Sequence, residues 1–597
     1  MNTNIYKILF VLLFGLSVLS SCNDDFMERA PENAISDASV WKTSSDLELY
    51  VNNFYNKSDL LLIDNAVGAS ANVGIYTLDR DNGADTQVSR AFNSRMNGQG
   101  SIPSSGGGWA ISDWETLRNI NYFFANYHKA TGDEAAINRY VGEALFFRSI
   151  FYFNKIRLFG DVPWYGHLLN PDDEDLYKGR DPRNVVVDSL IADLDKAINY
   201  LPSRGTGATW NGRLNKETAM LLQARIALFE GTWEKYHAGT PFGVTGSDGS
   251  KLITKAKEIT DALIASGACD LDNKGLENGY QNVFNKESYK GSKEVLFWRQ
   301  YNKSLNLGNG WSDFSTYGAL SGLSQRMVDT YLCNDGSPIE GNSLYKGDNT
   351  LLNVVDNRDP RLSQTLFVND GEHIQFAGNV PFKYPNFESS DRGCITGYQV
   401  YKGHIPNEEL SGASGQQAMI YFRYAEALLI NAEAKAESGS ITQEDIDRTI
   451  NQLRRRLVGM ADMSLAGVNA LPASARIFPN LSNIINEIRR ERTVELAVEG
   501  FRVDDIFRWA AADVLIKGYV PQGAKRVQWE GSLPDAPNGF TAAVNALRVD
   551  DQGYITPYAA QAFPATGYNF NTSRDYLRAL PTNQLVLNPN LTQNPGW

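Results

Sequence analysis

The spacing of apolar residues constrains the fold most, because it repeats every three to four positions over much of the chain. That period calls for helices that each bury one stripe. Val187, Leu190, Leu194, Ala197 and Leu201 share one helical face, as do Leu252, Ala256, Ile259 and Leu263. Leu145, Ser149, Tyr152, Ile156 and Phe159 continue the pattern up to Gly160, and Pro163 follows closely, so a helix must stop there. Arg423 to Gly439 is rich in strong helix formers, and its Ala432 and Ala436 allow a neighbouring helix to approach closely. Asn486 to Ala511 is predicted to be a further long helical stretch, broken or bent near Gly500. Strand signals are few; Glu294 to Tyr301 is the clearest.

Between these stretches lie long segments rich in Gly, Ser, Asn and Asp: Asp79 to Gly108, Gly239 to Gly249, Leu305 to Gly318 and Val520 to Pro564. Such loops in a folded protein usually carry binding surfaces. The expected architecture is therefore mostly α, a helical scaffold with long loop-rich excursions and few short strands. Composition excludes one class of partner. A formal net charge of −13 repels nucleic acid at long range, so no nucleic-acid partner is expected.

The N-terminus is unusual. Lys7 precedes an apolar run from Ile8 to Leu19, the layout of a secretory signal and too short to span a bilayer comfortably. It ends in Leu19-Ser20-Ser21-Cys22, which resembles a bacterial lipobox. That resemblance implies cleavage before Cys22, a lipidated thiol and a membrane-anchored protein. Cys269, Cys333 and Cys394 are scattered and lack CxxC spacing, so no disulfide framework is expected.

Seven further segments together resemble one family. Gly142 to Tyr165 (GEALFFRSIFYFNKIRLFGDVPWY) is similar to the signature helix and "FGDVP" turn of the SusD/RagB lipoproteins of Bacteroidetes. Trp114 to Phe124, Asn211 to Tyr236, Arg358 to Leu362, Phe422 to Ala434, Ile488 to Trp509 and Leu580 to Trp597 resemble the same family in the same order. The resemblance implies a SusD-like fold with tetratricopeptide-type helix pairs as scaffold. It divides the chain into residues 1–22 as lipoprotein signal with lipidated Cys22, 23–290 as an N-terminal region, and 291–597 as a C-terminal region packed with it as one unit. It further implies an oligosaccharide-binding lipoprotein of the outer membrane, facing the cell exterior, that serves a SusC-like TonB-dependent transporter. Asp24-Asp25, just after Cys22, resembles the acidic tag that routes such lipoproteins outward.

Catalytic constellations are not legible. The five histidines have no paired metal spacing, and no GxSxG or GK[ST] motif occurs. Glu491 and Glu495 lie four apart on one helical face, the kind of carboxylate pair that glycoside hydrolysis uses. Arg489, Arg490, Arg492, Arg502 and Arg508 are interleaved with them, however, so mutual ion pairing is the expectation. No cofactor is expected. The run DRDNGAD (Asp79 to Asp85) leaves room for a structural calcium ion without calling for one, since its spacing departs from the EF-hand pattern.

Glycan binding needs flat aromatic faces against sugar C–H groups, and polar side chains for the hydroxyls. Trp41, Trp114, Trp164 and Trp509 sit among helical apolar residues and are assigned to packing. Trp109 (SSGGGWA) and Trp311 (LGNGWSDFSTYG) lie in glycine-rich segments, where they either dock on the core or meet a ligand. The expected site is Trp109, Trp311 and Tyr317, with Asp81, Asn82 and Asp85 as hydroxyl partners. The alternatives are the same fold binding peptides for import, and a secreted glycoside hydrolase.

Overall fold

A series of helices, each touching the next, forms the scaffold. In the computed structural model it consists of α1 (Ser44–Asn52), α2 (Glu115–Asn126), α3 (Glu134–Phe159), α4 (Arg183–Tyr200), α5 (Lys216–Tyr236) and α6 (Ser250–Ala265). The short helix α7 (Trp311–Tyr317) follows, then α8 (Tyr424–Glu437), α9 (Asn483–Glu495) and α10 (Arg502–Arg508). The structure describes residues 40–597 except 58, 62–80, 82, 206–211, 306, 319, 389–391, 407–414, 532, 534 and 535. Asn82, Cys22 and Asp24-Asp25 lie outside the described residues.

Helix α3 packs on α1, α2 and α4; α4 on α5; α5 on α6 and α10; α6 on α8; and α8 on α9. Helices enclosed in this way lose the simple one-stripe pattern, and every residue of α8 is buried. The Asp133 side chain opens α3 by accepting from the Ala135 N–H, and Gly160 closes it at φ 72°. Buried polar groups on the packed faces are paired across helices. Arg148 of α3 makes a two-pronged contact with Asp193 of α4 at 2.7 and 2.8 Å, and Asn431 of α8 donates to Thr260 of α6 at 3.0 Å.

Helices α5 and α6 cross at glycine. A β-carbon on Gly249 would stand 1.8 Å from the Gly231 carbonyl oxygen, and Gly249 itself has φ +75°. Gly249→Ala is expected to cost about 3 kcal/mol, since it adds overpacking to a left-handed backbone at a non-glycine residue. Urea denaturation checks this, and an unchanged midpoint would show that the crossing relaxes freely.

Short antiparallel strand pairs tie the excursions down: β1 (Gln87–Ser89) with β3 (Ser321–Leu323), β2 (Val295–Arg299) with β6 (Met419–Arg423), and β4 (Ile374–Phe376) with β5 (Val380–Pro381). Within the predicted Glu294–Tyr301 segment, Val295–Arg299 is thus a strand. A large apolar core runs from Trp41 to Leu580 around the helices. A second, containing Phe314, Tyr331, Phe367, Tyr398 and Trp529, lies under the excursions. Among the described residues no helix is long and apolar enough to cross a membrane.

Two expectations need correction. Leu305 to Gly318 and Val520 to Pro564 are not loop throughout, because Trp311 to Tyr317 forms α7 and Phe540 to Ala546 forms another short helix. The Asn309 side chain accepts from the Trp311 N–H at 3.1 Å, and Gly318 ends the helix at φ 104°. A helix this short has too few positions to show a period. The Asn486–Ala511 stretch is interrupted over residues 496–501 rather than only at Gly500. Val498 (φ 65°) and Gly500 (φ 82°) both take the left-handed conformation there.

Candidate functional site

The interruption between α9 and α10 forms one wall of a cavity of about 210 Å³ where the scaffold meets the excursions. Ile150, Phe153 and Arg157 of α3 line it, as do β6, Trp311 and the turn around Phe501. Its charged residues are tethered. Arg225 grips Glu426 at 2.6 and 2.7 Å, Arg157 pairs with Asp504, and Arg492 reaches both oxygens of Asp505 at 2.9 and 3.0 Å. Lys402 is fully enclosed and donates to the Tyr280 hydroxyl (2.6 Å), Glu499 (2.7 Å) and the Ala497 carbonyl (2.8 Å). Burial pulls its pKa down to about 8, against the opposing pull of Glu499.

Trp311 is the sequence-predicted site residue that lines this cavity. It is half-buried, and its backbone is fixed by Asn309, whose side-chain nitrogen donates to the Gln417 carbonyl at 2.7 Å. Tyr317 shares α7 but lies about a third of a turn round from Trp311, and it does not line the cavity. The Arg392 guanidinium covers its ring at 4.5 Å, and Phe376 meets it edge-on at 6.1 Å. The structure therefore places Trp311 and Tyr317 on one short helix without pointing them at a common space.

Trp109 belongs elsewhere. It is 4% exposed and sits in the scaffold core, edge-on to Phe159 at 4.8 Å and to Trp114 at 5.3 Å. A ring covered in this way offers no face to a ligand, which corrects the expectation that it stacks on sugar. Asp81 and Asp85 need the same correction as hydroxyl partners, because both are buried and their oxygens are engaged. Asp81 accepts from the backbone N–H of Arg502 (2.8 Å) and of Gly500 (3.2 Å), while Asp85 holds the Arg502 guanidinium at 2.7 and 2.9 Å. They pin the 496–501 turn, and so position the cavity wall without reaching its interior. Burial lifts the Asp81 carboxyl to about 6 even with two N–H donors. Burial also acts on Asp85, but the Arg502 charge outweighs it and its pKa falls.

Glu491 and Glu495 are ion-paired, but not, as expected, with the arginines interleaved with them; among the described residues all of their ion-pair partners come from other segments. Arg361 and Arg454 hold Glu491, while Arg361, Arg423 and Arg456 hold Glu495. Sequence reasoning missed Arg157, Gln417 and Arg492 as cavity residues. Two of these sit inside helices whose periodicity explains them as scaffold, and no local signal separates them from it.

Comparisons with known proteins agree with this architecture. The SusD family model matches residues 280–597. The chain is 26% identical over 609 residues to SusD-like protein P2 of Formosa agariphila, covering 99% of both chains. A SusD-like carbohydrate binding protein from Bacteroides fragilis superposes with a TM-score of 0.68 at 20% identity, over 93% of this chain and all of that one. A structure described as a laminarin binding SusD-like protein superposes with a TM-score of 0.54 at 18% identity, over 93% of this chain and 100% of its own. With a family model covering more than half of its length and a helix-dominated fold shared with these structures, the chain belongs to the SusD family.

Proposed function

We propose that this protein captures oligosaccharides at the bacterial surface and passes them to a SusC-like TonB-dependent transporter, while held at the outer membrane by a lipid on Cys22. The observation that carries the binding part is Trp311, an indole fixed by Asn309 in the wall of a cavity that also presents Phe153, Phe422 and Phe501. Aromatic faces beside tethered polar groups suit a sugar ring, which has apolar C–H faces and a polar rim. Relatives described as carbohydrate binding and laminarin binding support this reading. A lipid tether beside a transporter raises the effective concentration of the two proteins, so a weak interface suffices for delivery.

The carboxylates that most resemble a hydrolytic pair, Glu491 and Glu495, are tied to arginines, and the reading is accordingly capture without cleavage. Incubating the purified protein with a panel of oligosaccharides should give saturable binding by titration calorimetry and no new reducing ends. Release of reducing ends would overturn it. Binding of peptides with no glycan bound would transfer the role to peptide import.

A further inference from the structure

The short run from Lys402 to His404 touches both walls of the cavity. Lys402 grips the 496–501 turn through the Ala497 carbonyl and Glu499. Gly403 lines the space itself, and His404 reaches α7, the helix that begins with Trp311. Three consecutive residues therefore relate the turn on one side to the aromatic ring on the other.

Position 403 calls for glycine twice over. Its φ of +76° is left-handed, and a β-carbon there would stand 2.8 Å from Gln417 Nε2 and 3.1 Å from Trp311 Nε1. Gln417 is not free to swing aside, because its Nε2 donates to the Phe284 carbonyl at 2.6 Å. The nitrogen edge of the indole thus lies against the Gly403 backbone, and Nε1 is fully enclosed there. What remains exposed of this half-buried residue is its other atoms. Gly403 is itself anchored, its N–H donating to Gln281 Oε1 at 2.9 Å.

His404 fixes the helix that carries the ring. Its Nε2 lies 3.0 Å from the Gln375 carbonyl, an acceptor, so Nε2 bears the proton and Nδ1 accepts from the Ser315 hydroxyl at 2.7 Å. The same hydroxyl lies 2.9 Å from the Trp311 carbonyl. Burial pulls the imidazole pKa down to about 4, which keeps this neutral form in place at ordinary pH.

From this geometry we infer that Gly403 and His404 are positioning residues for glycan binding: together they set the depth at which the Trp311 indole stands in the cavity wall. The inference rests on the reading of Trp311 as the sugar-binding ring and adds the residues that hold it. Depth matters because contact attraction fades within about 1 Å of the optimal separation.

The test follows the ring and the affinity separately. Full-length protein labelled with 5-fluorotryptophan gives a Trp311 fluorine resonance, identified by its absence in Trp311→Phe. Gly403→Ala should displace that resonance and leave the other tryptophan resonances in place. In calorimetric titrations with laminarin, xylan and pectin oligosaccharides, it should weaken the tightest interaction about tenfold. In a Trp311→Ala background the same substitution should cost less than about twofold, since its effect runs through the ring. Ser315→Ala removes the link to His404 and should give a smaller displacement and about threefold weaker binding. If Gly403→Ala fails to fold, Ser315→Ala decides by the same two readings. An unmoved resonance, unchanged affinity, or an equal loss with and without the indole overturns the positioning role while leaving glycan capture intact. Wild-type binding of no oligosaccharide, or unchanged affinity in Trp311→Ala, overturns the reading beneath it and the positioning role together.

Discussion

Glu495→Gln is expected to destabilise the protein by about 3–5 kcal/mol, the cost of leaving buried charges without their counter-ion. Glu495 is fully buried and lies among three guanidinium groups, with Arg423 at 2.7 Å, Arg361 at 3.1 Å and Arg456 at 2.5 Å. Its backbone carbonyl also accepts from the Tyr280 hydroxyl at 2.6 Å and from Arg423 at 2.9 Å. The residue therefore joins β6, α9 and the Arg361 and Arg456 segments at one point. Glutamine keeps the shape but replaces an acceptor oxygen with an N–H₂ that faces arginine donors.

The same geometry predicts how the effect depends on pH. Burial alone would raise the Glu495 pKa, but Arg456, Arg423 and Arg361 together hold it well below the ordinary 4.5. A carboxyl lowered on folding contributes stability above its unfolded pKa and loses it as pH falls. The wild-type protein should therefore lose this contribution below about pH 4.5, whereas the glutamine variant should show a flatter acid limb. Asp188→Asn, which breaks an exposed pair with Lys251, should shift stability by no more than about 0.5 kcal/mol. Urea midpoints for the two variants check the contrast. Equal, small shifts would show that the arginine cluster relaxes around the loss.

Periodicity made the scaffold legible because α4 and α6 each bury one stripe, including Val187, Leu190, Leu194, Leu252, Ala256 and Leu263. A short unbroken apolar run, Val295 to Trp298, likewise marked the strand at Val295–Arg299. Neither signal could reveal the partners of the charged residues. Arg361 and Glu495 are 134 positions apart, and nothing in either neighbourhood names the other. The candidate site was legible only in part, for the same reason. A tryptophan in a glycine-rich segment has two readings in sequence, and the tertiary fold assigns a different one to each case. Trp109 is drawn into the core by Phe159, which α3 places against it, while Trp311 is carried by a two-turn helix to a cavity wall. Asp81 and Asp85 looked solvent-facing because they belong to an acidic, turn-forming run. Their actual partners, Gly500 and Arg502, lie more than four hundred positions away.

The two tryptophans should consequently respond in opposite ways to truncation. Trp311→Ala should weaken glycan binding by about 2 kcal/mol, roughly thirtyfold in Kd, as expected for an aromatic anchor in a partly closed pocket. Trp109→Ala should leave the affinity of the folded protein unchanged and instead lower stability by about 3–5 kcal/mol, because it empties a packed aromatic cluster. Trp311→Phe divides the first effect further. It keeps an apolar face of smaller area, so a loss well short of that in the alanine variant shows that stacking carries most of the affinity. Calorimetric titration of each variant with the tightest-binding oligosaccharide, beside its thermal melt, separates affinity from stability. If Trp311→Ala binds as tightly as the wild type, the cavity is not where the sugar sits, and the exposed surfaces around Tyr317 and Arg392 become the next place to look. If Trp109→Ala loses affinity while keeping its melting temperature, then its ring must leave the core on binding. Its contacts at 4.8 and 5.3 Å with Phe159 and Trp114 oppose that, because breaking them exposes apolar surface of all three rings at once.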